Sequence, residues 1–207
     1  MIMKKFLILI MLISSLISCK SKPLVINEET KFDSKSAEMS SIQKKFNTIK
    51  KEIENIYLKD TSRIELYIQI DENGTIKRVS NYNNSTESFY ASYNIIRNKS
   101  GEIIYIQESP SSESGDWNLD YDSYFDDNGN LIAFVRTCSF FSGENDEIIR
   151  ERSQYFYDSK YNLIKKTYEI KDKNNKPLDV KKCTIEYRFS YTIYTTSKEY
   201  LNKHKFN

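Results

Sequence analysis

Histidine is nearly absent. His204, fourth from the end of 207 residues, is the only one. A base so near a terminus is expected to fray, and without another histidine a Ser-His-Asp or Cys-His relay has nothing to work with. Glycine is scarce as well, at five residues, so a backbone cradle for phosphate has few places to form. Gly-x-Gly-x-x-Gly, the phosphate loop and His-Glu-x-x-His are all missing. The two isolated cysteines Cys138 and Cys183 and one histidine lack the ligand spacing of a zinc site, and the Asp-rich calcium loop with its distant Glu does not occur. The expectation is therefore no metal, no cofactor and no catalytic residue.

Charge of one sign is missing too, once the leader is set apart. Lys4 and Lys5 precede an apolar run from Phe6 to Ile13, and Leu16-Ile17-Ser18-Cys19 follows. This is the layout of a secretory signal, with an apolar stretch shorter than the ~20 residues a spanning helix needs. The formal net charge of +2 is accounted for by Lys4 and Lys5, so 29 basic side chains face 29 acidic ones in the rest. A neutral chain gives no reason to expect nucleic acid.

Leu16-Ile17-Ser18-Cys19 resembles the bacterial lipobox. The resemblance implies cleavage before Cys19 and lipid on its sulfur and amino group. Several acyl chains, at about 0.8 kcal/mol per buried methylene, make a lasting anchor. The Lys-, Ile- and Asn-rich style, with Ser-Cys-Lys at the cleavage site, is similar to lipoproteins of the Bacteroidetes. The expected organisation is a signal over 1–18, a tether over 19–35 and one domain over 36–207. The expected location is the cell envelope, membrane-anchored and facing periplasm or cell surface. There Cys138 and Cys183 either pair as a disulfide or stay as buried thiols.

Met39, Ile42, Phe46, Ile49, Ile53 and Ile56 recur at spacings of three and four, which predicts an amphipathic helix. Ser40 or Ser36 would cap it. After Asp60 the chain reads as β. Ile64, Leu66, Ile68 and Ile70 alternate with polar residues, and Asp71-Glu-Asn-Gly74 supplies a hairpin turn. Similar turns follow at Asn98–Gly101, Asp126–Asn130 and Asp158–Asn162, with a degenerate one at Asp172–Pro177. A last strand is expected over Thr184–Thr195. The fold class predicted is α+β, mainly β: the helix packed on an antiparallel meander of about eight to ten strands.

The recurring unit is an aromatic strand, an Asp-containing turn and an aliphatic strand. Tyr124–Ile132 and Tyr157–Ile164 resemble the Tyr-Asp and MORN-like hairpin repeats of bacterial envelope and secreted proteins, with a match over about residues 64–170. That resemblance implies a scaffold or binding surface without catalytic residues.

Sixteen tyrosines suit strands that are apolar at one end and wet at the other. Trp117 sits at the end of the polar stretch Glu108–Asn118, read here as a loop, and is a candidate contact residue together with Tyr121, Tyr155 and Tyr157. Tyr168, Tyr187 and Tyr191 extend the set. Glu108, Glu113, Asp116, Asp120, Asp122, Asp126 and Asp127 gather in sequence around Trp117 and Tyr121, which keeps a carboxylate-dependent glycan hydrolase as the alternative. The leading expectation is a non-catalytic binding or interaction module, immunity-type or part of an envelope complex, with an unknown protein or glycan as partner. A structural lipoprotein without a specific ligand is the third reading.

Overall fold

The computed structural model describes residues 32–82, 88–142, 147–179 and 189–206. The signal, Cys19, Tyr187 and Cys183 lie outside these residues, and the expectation of a Cys138–Cys183 pair with them. Helix α1 spans Phe32–Lys59, so four residues expected in the tether are helical. A 3-10 turn, Thr61–Arg63, leads into the strands. These are β1 (Ile64–Gln69), β2 (Ile76–Val79), β3 (Ala91–Arg97), β4 (Ile103–Pro110), β5 (Trp117–Phe125), β6 (Leu131–Ser142), β7 (Glu147–Tyr157) and β8 (Leu163–Lys171). Helix α2, Ser197–His204, follows near the C-terminus.

The strands form one antiparallel sheet in the order β2-β1-β3-β4-β5-β6-β7-β8. The protein is thus mainly β, with two helices among the described residues. Glu108–Pro110 and Trp117–Asn118 belong to strands, so the stretch expected as a loop shortens to 111–116. The reason is pairing: Tyr93 faces Glu108 across β3–β4, and Trp117 faces Phe140 across β5–β6.

One turn design recurs five times. The side chains of Asp71, Asn98, Asp126, Asp158 and Asp172 each accept the N–H of the residue four further on, at 2.8–3.0 Å. Their carbonyls accept the N–H three further on. That third position takes a positive φ each time: Gly74 82°, Gly101 91°, Gly129 75°, Tyr161 63° and Asn175 63°. Asp and Asn at the start mimic a backbone turn, and a left-handed residue closes it. Tyr161 carries the φ without being glycine because its hydroxyl donates to Asn130 Oδ1 at 2.9 Å, in the neighbouring turn.

Side chains alternate between the two sheet faces, and buried residues form two clusters. One, here face B, joins Ile42, Phe46, Ile49 and Ile53 of α1 to Tyr124 and Phe156. The Phe46 ring lies edge-on to Tyr124 at 4.8 Å and to Phe156 at 5.4 Å. The other, face A, holds Tyr93, Leu119, Tyr121, Phe134 and Cys138, with Tyr200 of α2 against them. Phe189, Ile193 and Tyr194 also pack there. The described part of the expected last strand, 189–195, carries no strand. It is held instead by the Leu131 N–H to the Thr195 carbonyl at 2.9 Å and by a bridge between Asn130 and Thr196. Its apolar side chains meet the sheet through its face, so pairing along an edge is not required.

Candidate functional site

The period of two on β5 sorts the candidate residues. Trp117 and Tyr121 fall on face A, while Asp120 and Asp122 fall on face B. Tyr155 and Tyr157 pack against the face A cluster, so all four contact candidates share that face. Trp117, Tyr121 and Tyr155 each have a partner within the chain. Trp117 lies 4.6 Å from the Phe189 ring. Tyr121 is 5.5 Å from Tyr191, and the hydroxyls of Tyr155 and Tyr191 are 2.8 Å apart. Burial raises the Tyr157 hydroxyl to about 12.

The acidic residues that looked like one cluster are spread over both faces and the loops. Asp126 is occupied by its own turn. On face B, Ser109 donates to Asp120 Oδ1 at 2.5 Å and Tyr105 to Asp122 Oδ1 at 2.6 Å. Burial lifts the Asp122 carboxyl to about 6, against the hydrogen bond from Tyr105. Glu108 is on face A. Alternation along β5 sends Asp120 to the face opposite Tyr121, whereas Glu108 pairs directly across from Tyr121.

A cavity of about 210 Å³ lies on face A beneath the C-terminal segment, lined by Glu108, Tyr121, Phe134, Tyr191, Tyr194 and His204 among others. Tyr200 donates its hydroxyl to Glu108 Oε2 at 2.6 Å. Burial raises the Glu108 carboxyl, partly offset by that bond, because desolvation disfavours the charged form. Burial also raises Tyr200 well above the ordinary phenol range, with Glu108 adding to the effect.

His204 corrects the expectation of a frayed end. Its ring stacks on Tyr200 at 4.5 Å and meets Tyr93 and Tyr194 edge-on at 5.7 and 5.6 Å. Nε2 is buried without a hydrogen-bond partner among the described residues. Burial, helped by Lys203, lowers the imidazole to about 4, so at neutral pH it is uncharged. Helix α2 holds it there. Thr196 caps the helix by accepting the Glu199 N–H at 3.1 Å, and Glu199 reaches back to the Thr195 N–H at 2.9 Å. Thr196-Ser-Lys-Glu199 has the capping-box sequence pattern, with the Glu199 bond made one residue earlier, to Thr195, and that pattern is the sequence signal for this helix. Tyr200 and His204, four apart, then share one side of it.

Beside the cavity runs a buried ion pair. Arg136 Nη1 is 2.6 Å from Glu151 Oε2, with side chains 6% and 8% exposed. Cys138 is buried nearby, and desolvation raises its thiol. A larger open groove of about 820 Å³ lies on the other side, bordered by Tyr57, Leu66, Arg78 and Tyr82.

Among the described residues no group of three or more His, Cys, Asp or Glu is arranged to hold a metal ion. Nor is any helix there long and apolar enough to cross a membrane. No protein-family model matches the chain, no curated protein is similar to it, and no solved structure matches its fold.

Proposed function

We propose that the chain is a lipid-anchored protein of the bacterial cell envelope, attached through Cys19, whose folded part is a non-catalytic binding module. Helix α1 is the fixed cover of face B, and the ligand enters the cavity of face A. The observation that carries this reading is the convergence on one small space of a desolvated carboxyl, Glu108, with Tyr121, Tyr191, Tyr194 and the uncharged His204. Small-ligand sites combine aromatic walls with a few polar groups in this way. The hydrolase alternative is disfavoured by the division of Glu108 from Asp120 and Asp122 between opposite faces.

Two experiments test the halves separately. Cys19→Ala should move the protein from the membrane fraction to the soluble one; retention in the membrane would end the anchor reading. For the cavity, a photo-crosslinking residue in place of Tyr191, which is 37% exposed at the rim, should label a bound small molecule in intact cells. Labelling that is unchanged when Glu108 is replaced by Gln would remove the cavity from the account.

A further inference from the structure

The cavity lining has a definite charge character. Glu108 is the one carboxylate among its described lining residues, and none of them is Lys or Arg. The remaining members are aromatic rings, serine and threonine hydroxyls, and an imidazole. Tyr200 donates to Oε2 of the carboxylate at 2.6 Å. Arg136 hydrogen-bonds Tyr121 of the wall and is paired with Glu151 at 2.6 Å. Lys166 sits over the outer Tyr155 ring, at 5.0 Å. His204, held neutral by burial, adds no charge, and Lys203 on the same helix is exposed.

A buried carboxylate surrounded by tyrosines leaves one ligand class well matched. An anion would be repelled. A neutral polyol would leave the carboxylate without a counter-charge in a desolvated place. A cation offsets that charge and gains from the ring quadrupoles where water is excluded. The cavity is small, about 210 Å³, and suits a small molecule better than a long peptide or an oligosaccharide. We propose that the face A cavity binds a small organic cation, a protonated or quaternary amine, with Glu108 as counter-ion and Tyr121, Tyr191 and Tyr194 as aromatic walls. This rests on the binding-module reading above and names its ligand class.

The single histidine provides the reporter, because its ring protons give one isolated set of NMR signals from the cavity wall. Full-length protein is titrated with methylammonium chloride, with tetramethylammonium chloride and with glucose, at ionic strength matched by sodium chloride. At least one ammonium ion should shift the His204 signals saturably, and glucose should not. Glu108→Gln keeps an oxygen for the Tyr200 bond and should weaken the binding at least tenfold. Tyr191→Leu, at the rim, should weaken it severalfold with the melting temperature little changed. Saturable shifts from glucose alone would overturn the cation assignment and leave the binding module standing. Silence from every probe would overturn both. Ammonium binding that Glu108→Gln and Tyr191→Leu leave intact would also overturn the assignment.

Discussion

Replacing Arg136 by Ala should be among the most damaging single changes in the domain. Arg136 stands opposite Ser153, and Glu151 stands opposite Cys138, so the two charges are diagonal neighbours on face A, within reach for long side chains. Their 2.6 Å contact and near-complete burial mean that removing one leaves the other uncompensated. Such losses cost about 3–5 kcal/mol. For a chain of this size each kcal/mol lowers Tm by about 2–4 °C, so the melting point should fall by roughly 6–20 °C. Glu151→Gln should be milder, because its amide oxygen still accepts from the guanidinium. The double replacement Arg136→Met with Glu151→Leu should recover much of the loss, since a well-packed apolar pair is often as stable as a buried ion pair. Thermal and urea melts of the wild type and the three variants measure these differences. A loss below about 1 kcal/mol in Arg136→Ala, the range of an exposed pair, would refute the burial on which this reasoning stands.

Three further outcomes are expected. Phe46→Ala empties a site only 3% exposed and should cost about 3–5 kcal/mol in urea unfolding; a change under 1 kcal/mol would mean that α1 does not cover face B. Gly129→Ala places a methyl 2.7 Å from Ser197 Oγ at a φ of 75°, and should cost about 1–2 kcal/mol and loosen α2, read as faster amide exchange at Glu199 and Tyr200. Asp122→Asn should stabilise the fold above pH 6 and change little below pH 4. A carboxyl raised to about 6 keeps its proton in the folded state while the unfolded chain loses it near the usual Asp value, so wild-type stability falls as pH rises through that window. The gain should approach about 3 kcal/mol at pH 7, and no difference between pH 4 and 7 would contradict the buried placement of Asp122.

The hairpins were legible in the sequence because both of their signals are local. Alternation in Ile64–Ile70 sets the faces, and an Asx residue four positions before the turn's end sets the geometry. Tyr161 and Asn175 take the same geometry without glycine at the positive φ, and the turn at Asp172–Pro177 read as degenerate. The contact candidates Trp117, Tyr121, Tyr155 and Tyr157 did gather on one face, as their parity requires. The acidic residues did not stay together: Asp120 and Asp122 share face B, while Glu108 on β4 lies on face A, paired across from Tyr121. The cavity itself was not legible. Its central hydrogen bond joins Glu108 to Tyr200 across 92 positions, and no periodicity reports a C-terminal segment folding back over a sheet. His204 was misread for that reason: distance from the chain end says little when Tyr93, Tyr194 and Tyr200 enclose the ring. The capping box at Thr196–Glu199 was the one local hint that the end is structured.

The most direct test of this account is the titration of His204 by NMR. Closure of face A by the C-terminal segment strips water from this ring, and the account predicts a single transition centred at about 4, with the ring signals distinct from those of a free imidazole at neutral pH. A midpoint near the ordinary histidine value of about 6.5 would mean that the end of the chain is solvated, that face A is open, and that the cavity described here does not form.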